Sequence, residues 1–301
     1  MNNSTEKKRP HKGVLWQEKA MRDNRGRLTD KGYTPFIRLH RKDFSSRGTS
    51  AWQFLQNTGR QHDLLSVLEK QVGIKLAHLG AVDMWEQYRL SLTHEDVDFS
   101  GGWRLPQGTE EICARRGIKH PRYTSSNQRY MTTDWVVSSK SRRHFAVFVK
   151  YKKDVPVRGK RDHDLALVQN EYWQSRGIPM CIATEECVDK ALLIDLMWAN
   201  EGGRQHPNGA PEQFLGFLKQ INQERGLSAE LLHWGGSERA MDALLLFKAA
   251  VHAGQIELLP TRLNPLHLPR LSDPRPFKLI APTKIDFRLE RFLNRLEKFH
   301  E

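Results

Sequence analysis

Apolar residues recur at three- and four-residue spacing through DLLSVLEKQVGIKLAHLG, where Leu64, Leu65, Leu68, Val72, Leu76 and Leu79 form one stripe. This spacing predicts a helix with a single buried face. Before it, short extended pieces are expected from Tyr33 to Leu39 and from Ala51 to Leu55, the second closed by the turn residues Asn57, Thr58 and Gly59. After it, AVDMWEQYRL reads as a strand, and a long polar loop runs from Thr93 to Tyr130. Two strongly apolar strands follow, Met131 to Ser138 and Phe145 to Lys150, joined by the tight basic connection SSKSRR. Helical spacing returns from Asp162 to Arg176 through Leu165, Val168, Tyr172 and Trp173, stops at Gly177 and leads into a buried strand, IPMCIAT. Strands, a helix and a final strand in this order predict an α/β core.

Beyond residue 185 the pattern turns helical, in VDKALLIDLMWAN, PEQFLGFLKQINQER and SERAMDALLLFKAAVHAG, with a Gly, Pro and Asn break (EGGRQHPNGAP) after the first. Gly254 ends the last of them, and the strand-like QIELLP and NPLHLP follow. Helices and then a hairpin fit a winged-helix module and, equally, an ordinary helical bundle. The tail is Pro-rich from Arg270 to Pro282. It then carries an apolar stripe, Ile285, Leu289, Phe292, Leu293, Leu296 and Phe299, ringed by Arg288, Arg291, Arg295 and Lys298. That is a helix built to dock on a partner or on its own domain. At the other end, residues 1–32 are too polar to bury a continuous face and read as a mobile basic arm with at most one short helix.

Charge narrows the class. Across 301 residues, 48 Lys and Arg against 35 Asp and Glu leave +13, the sign expected of a partner with dense phosphate charge. A membrane surface also attracts basic proteins, but no segment approaches the roughly 20 apolar residues of a spanning helix. The N-terminal MNNSTEKKRPHKG has no apolar core of a secretory signal, so a soluble cytoplasmic protein is expected. Cys113, Cys181 and Cys187 match no zinc or disulfide spacing and read as reduced thiols.

Three residues carry candidate chemistry. Asp134 closes MTTD at the edge of one apolar strand, Lys150 ends FAVFVK on the next, and Glu69 lies beside the buried stripe of the preceding helix. Two carboxylates and a backbone carbonyl, here that of Val149, suffice for Mg2+ when a substrate phosphate fills another position. Lys150 beside them would orient the attacking water. The trio therefore points to metal-dependent phosphodiester hydrolysis. Taken singly, each residue has an ordinary reading: a glutamate turned to solvent, a strand-end aspartate, an edge-strand lysine. The loop and hairpin arginines and lysine Arg115, Arg116, Lys119, Arg122, Arg142 and Arg143 are candidate phosphate contacts, or else solvated surface.

The runs YTPFIRLH, TGRQHDLLSVLE, DMWEQYRL, GIKHPRY, MTTDWVV, FAVFVK and EYWQSRGIP, in this order, resemble the TnsA family, the endonuclease subunit of heteromeric cut-and-paste transposases. The resemblance covers nearly all of residues 30–185 and weakens afterwards. It implies a restriction-endonuclease-like N-terminal domain with a PD-(D/E)xK type site that cuts the 5′ ends of the transposon, while a separate DDE-type transposase cuts and joins the 3′ ends. It places the family's glutamate on Glu69, its aspartate on Asp134 and its lysine on Lys150. It departs at Phe148, where the family has a Gln and wider restriction-type nucleases an acid. Gln169 sits where the family can carry a glutamate and is an accessory candidate, or a solvent-facing helix residue. The family's C-terminal domain is winged-helix-like and contacts an AAA+ regulatory ATPase.

The combined expectation is an α/β protein whose parts are a basic arm (1–32), a restriction-endonuclease-like catalytic domain (33–187), a smaller, mainly α winged-helix-like domain (188–269) and a linker with a tail helix (270–301). It would be a Mg2+-dependent DNA endonuclease, Mn2+ substituting, acting on transposon ends. The rival expectations are a stand-alone restriction or repair nuclease of the same fold and a DNA-binding scaffold whose site has decayed.

Overall fold

The computed structural model describes residues 11–39, 49–94, 106–206, 208–221, 227–258, 277–280 and 288–298. Helix α1 (Lys12–Arg22) is opened by His11, whose Nδ1 accepts from the Gly13 N–H at 3.1 Å. It buries Val14 and Ala20 and sets Trp16 edge-on to Phe36. Gln17 fastens it to the loop beyond, donating to Gln128 O at 2.8 Å and accepting from Tyr130 N at 3.0 Å. A hairpin of β1 (Arg27–Thr29) and β2 (Gly32–Thr34) follows, from which Arg27 reaches Ser91 Oγ at 2.6 Å. Residues 11–34 are therefore folded onto the body, where polarity led us to expect a mobile arm. A few anchors, Val14, Trp16 and Ala20 with the buried Arg25 and Arg27, hold a stretch whose average composition hides them.

The next hairpin, β3 (Ala51–Leu55) and β4 (Arg60–Leu64), leads into α2 (Val67–His78) and then β5 (Asp83–Arg89). Inside the stretch expected to be loop lies α3 (Thr109–Arg115), started by Glu111, which accepts from the Gly108 N–H at 2.8 Å, and anchored by Ile112 and Cys113. Seven residues with two apolar anchors are too short to show a period. Strands β6 (Thr132–Ser138) and β7 (His144–Val149) form the expected hairpin, followed by α4 (Arg161–Gln174) and β8 (Met180–Ala183). Strict alternation divides the central strands between two cores. Trp135, Val137, Phe145, Val147 and Val149 pack with Leu68, Val72 and Leu76 of α2, while Val136, Ala146 and Phe148 pack with Ala166, Val168, Tyr172 and Trp173 of α4.

A third core joins α5 (Lys190–Gln205), α6 (Glu212–Leu218), α7 (Leu227–His252) and the antiparallel pair β9 (Ile256–Leu258) and β10 (Phe277–Leu279). Helix α5 continues through Gly202 and Gly203, where sequence predicted a break. A Cβ on Gly202 would stand 2.4 Å from Leu245 O and one on Gly203 2.6 Å from the His252 ring, so these glycines allow close approach to α7. The partner of β9 lies in the segment assigned to the linker; NPLHLP is outside the described residues. The tail helix α8 (Arg288–Arg295) docks on the chain's own first core through Leu289 and Leu293. Ile285 and Phe299 of the expected stripe lie outside the described residues. After α8, β11 (Glu297–Lys298) pairs antiparallel with β8 and completes a five-stranded mixed sheet in the order β11-β8-β7-β6-β5. The architecture is mixed α/β. No described helix is long and apolar enough to cross a membrane.

Candidate active site

Both ladders of β6 open at Asp134. Between β6 and β7 the register runs from Ser138↔His144 to Trp135↔Val147 and stops there. The Asp134 carboxylate then takes the next backbone donor, accepting from Val149 N–H at 2.7 Å. On the other side, β5 places Glu86 opposite Trp135 and Tyr88 opposite Thr133, and the pairing skips Gln87 and Asp134. Gln87 has φ +50°, a left-handed conformation that costs a non-glycine residue free energy and persists only where its surroundings enforce it. The turn points its side chain toward α2.

Glu69 is brought to the same place by the start of α2. Ser66 caps the helix, its Oγ accepting from Glu69 N–H at 3.1 Å, and the glutamate reaches back to accept from Leu65 N–H and Ser66 Oγ, each at 3.1 Å. Gly73 lets the helix lie on β6: a Cβ there would stand 2.5 Å from Cζ2 of Trp135, whose indole N–H donates to Glu69 O at 3.2 Å. The Gln87 amide donates to Glu69 Oε2 at 3.2 Å and lies near enough to Asp134 to favour its charged form.

The electrostatics are those of two carboxylates sharing one enclosure. Burial, and then the neighbouring Asp134 charge, push the Glu69 carboxyl up from 4.5 to about 8. Burial also raises Asp134, against the opposing pull of the Lys150 charge and the Val149 N–H. Lys150 stands beside them with its ammonium 5.0 Å from the ring centroid of Phe148. Phe148 is buried in the α4-side core and so supports the lysine with its aromatic face. Among the described residues no group of three or more His, Cys, Asp and Glu converges, so a metal here would draw its other ligands from neutral oxygens and water. The donor set, two oxygen-bearing carboxylates with a charge excess, fits a hard divalent cation.

The site opens into a cleft of about 1440 Å3, lined by Glu69, Val149, Lys150 and Gln169, with Lys12, Lys19, Arg129 and Lys153 at its basic positions and Asp154 and Asp162 as counter-charges. Gln169 is buried and accepts from Thr133 Oγ1 at 3.3 Å. Val149 meets Asp134 through its N–H.

The structure places the six candidate phosphate contacts away from this lining. Arg115 and Arg116 are ion-paired with Glu171 on α4, and Arg143 with Glu290 on the tail helix at 3.3 Å. Arg122 donates to Ser125 O at 2.9 Å, Lys119 is exposed with its carbonyl bound by Arg161, and Arg142 occupies the left-handed turn position between β6 and β7. Sequence reasoning missed Gln87 and the α1 lysines. For Gln87 a signal was there, a polar Glu-Gln pair set between the apolar residues Met84, Trp85 and Tyr88 of β5.

No family model matches the chain. It is 26% identical over 209 residues, 69% of its own length and 70% of the relative's, to the transposon Tn7 transposition protein TnsA of Escherichia coli, and is thus a distant likeness of that protein.

Proposed function

We propose that this chain is a divalent-metal-dependent DNA endonuclease of the TnsA type, cutting the 5′ strand at transposon ends within a transposition assembly. The observation that carries the proposal is the proximity of Glu69, Asp134 and Lys150, two carboxylates with raised pKa and one cation, of which Glu69 and Lys150 line a cleft that also bears Lys12, Lys19, Arg129 and Lys153. The distant likeness to TnsA supplies the biological setting. In this reading the five-stranded sheet with its flanking helices is the restriction-endonuclease-like domain. The α5–α7 unit with β9 and β10 is the winged-helix-like domain that meets an AAA+ ATPase, and a DDE-type transposase is the partner for the other strand.

Glu69 and Asp134, with the Val149 carbonyl, would hold Mg2+, or Mn2+ in its place. When bound, the ion supplies charge compensation on the scissile phosphate and lowers the pKa of a bound water. The chain's own groups do the rest. The Val149 N–H and the helix cap hold the two carboxylates in fixed positions, so little reorganisation is needed at reaction. Lys150, resting on Phe148, orients the attacking water and stabilises charge at the phosphate. The cleft lysines grip neighbouring phosphates and set the register of the strand.

The test is 5′-strand cleavage of element-end DNA, reconstituted with the partner transposase and ATPase. Asp134→Ala is expected to abolish it while 3′ processing by the partner continues; undiminished 5′ cutting by that variant overturns the proposal. Robust cutting of plasmid by the purified chain alone would replace the assembly subunit with a free-standing nuclease.

A further inference from the structure

The least explained buried group beside the carboxylates is Gln87. It is 1% exposed, in a left-handed conformation, at the one position where the β5–β6 pairing is interrupted. Packing does not require this, since an ordinary strand residue there would continue the alternation and the ladder. What the turn achieves is to bring an amide NH2 to the carboxylates: it donates to Glu69 Oε2 at 3.2 Å and lies near enough to Asp134 to favour that group's charged form. Its Oε1 points the other way and accepts from Thr132 Oγ1 at 3.1 Å. A neutral donor thus stands on Glu69, beside Asp134, where a cation would be held.

Resting on the metal-dependent reading above, we propose that Gln87 is a member of the metal site in both states. In the metal-free protein its NH2 donates to Glu69 beside Asp134; in the loaded protein a half-turn of the amide presents Oε1 to the ion as the third side-chain oxygen. Three features make the exchange feasible. The last torsion of a glutamine is broad and two-fold, so oxygen and nitrogen trade places at small conformational cost. Thr132 carries a hydroxyl, which donates to Oε1 in one state and accepts from Nε2 in the other, so no buried polar group loses its partner. And a third oxygen is wanted: Phe148 offers none, the described acids number only two here, and Mg2+ prefers a near-octahedral oxygen shell. The same geometry accounts for the left-handed backbone, because only that turn brings residue 87 to the α2 side at the level of Asp134.

The experiment uses the full chain without DNA and reads metal binding and folding rather than cleavage. Mn2+ is titrated calorimetrically, and melting is followed in chelator and in Mn2+. Gln87→Ala is expected to weaken Mn2+ binding by about tenfold or more, the scale seen when a ligand or its orienting partner is lost. Thr132→Val, which leaves Glu69, Asp134 and Gln87 in place, should weaken it severalfold by removing the acceptor for the turned amide. Gln87→Glu should bind Mn2+ more tightly than wild type, while melting lower than wild type in chelator because three carboxyls then crowd one enclosure. Wild-type Mn2+ affinity in folded Gln87→Ala overturns the proposal. Should that variant fail to fold, Gln87→Glu binding no tighter than wild type, with Thr132→Val unchanged, overturns it. If the wild-type chain itself takes up no Mn2+, the metal-dependent reading falls with it, which separates the two failures.

Discussion

Glu86 and Glu69 are both almost wholly buried, at 0% and 7% exposure, on elements that pack against one another, and their surroundings treat them in opposite ways. Glu86 receives a two-pronged contact from Arg60, at 3.0 Å to Oε1 and 2.5 Å to Oε2, the His62 ring at 2.7 Å and the Asp63 N–H at 3.2 Å. Burial alone would raise its pKa, but the hydrogen bonds from His62 and Arg60 hold it below 4.5. Glu69 accepts, among the described residues, from neutral donors: Leu65 N–H, Ser66 hydroxyl and the Gln87 amide. It is pushed up to about 8. One carboxylate is neutralised from within the chain and ties the β3–β4 hairpin to β5. The other is held in place by the fold but left short of positive charge. A buried carboxylate in the second condition is costly unless it serves something the chain does not contain.

The sharpest way to break this contrast is Glu69→Gln. Cleavage at the 5′ ends should fall about a thousandfold, equivalent to the several kcal/mol that a lost metal ligand contributes. Stability should hold or rise in the absence of metal, because the amide removes a crowded buried carboxyl and keeps acceptor oxygen for Leu65. Paired melting and strand-cleavage measurements check this, and a fall in both together would contradict it. Glu86→Gln is expected to do the reverse. Leaving Arg60 and His62 facing a neutral amide should cost about 3 kcal/mol, the low end for a broken buried pair because Arg60 is itself 24% exposed. Denaturant unfolding reads that loss, while the folded fraction should cleave at a nearly normal rate.

The two residues should also leave opposite marks on the pH dependence. The Glu69 carboxyl titrates near 8 in the folded chain and near 4.5 when unfolded, so between these values the folded state carries a proton that the unfolded state has released. The Glu69 contribution to stability of the metal-free protein therefore falls as pH rises across that window, by at most about 1.4 kcal/mol per unit, or about 2 kcal/mol from pH 6 to 7.5. Glu86, held below 4.5, contributes stability that is present above 4.5 and lost on acidification below it. Buried histidines held below 6.5, among them His62, His78 and His252, stabilise both proteins as pH rises toward 6.5, so the Glu69 effect is read as the melting difference between wild type and Glu69→Gln, which should shift steadily against wild type from pH 5.5 to 8 in chelator. Mg2+ should restore more stability at the alkaline end, since it takes the place of the proton.

How this site could be read from sequence differs from residue to residue. Long-range apolar periodicity gave α4 and the β6–β7 hairpin within a residue or two, because each buries a continuous face that leaves a repeating trace; it gave α2 as well but started it too early, since Asp63 and Leu64 of the expected stretch belong to β4 and the helix begins at Val67. Asp134 and Lys150 were placed at strand ends by the same pattern, and Glu69 beside the helix stripe. Short elements left no such trace: α3 has only Ile112 and Cys113 as anchors, and α1 only Val14, Trp16 and Ala20. Gln87 was missed for a different reason. Its placement follows from a backbone turn to φ +50° that breaks the strand's alternation, and period-two reasoning assumes that no such turn occurs. Gly202 and Gly203 misled in the opposite direction, since glycine for close helix contact and glycine for a helix end look alike until the neighbour is known.

The same division between charges answered inside the chain and charges left for a partner sorts the basic residues, and here the expected effects are smallest. Arg115, Arg116 and Arg143 are engaged by Glu171 and Glu290, whereas Lys12 and Lys19 are exposed on the face of α1 that lines the cleft. If the cleft receives a DNA backbone, Lys12→Ala with Lys19→Ala should weaken binding to duplexes of any sequence and reduce the slope of log affinity against log salt by about 1 per lysine lost. Arg115→Ala with Arg116→Ala should leave that slope unchanged and instead loosen α3 from α4, seen as a small drop in melting temperature. The comparison is informative because the two double variants remove equal charge. A slope that responds equally to both would mean that net charge alone draws DNA to this protein, and that the α1 wall has no special part in holding it.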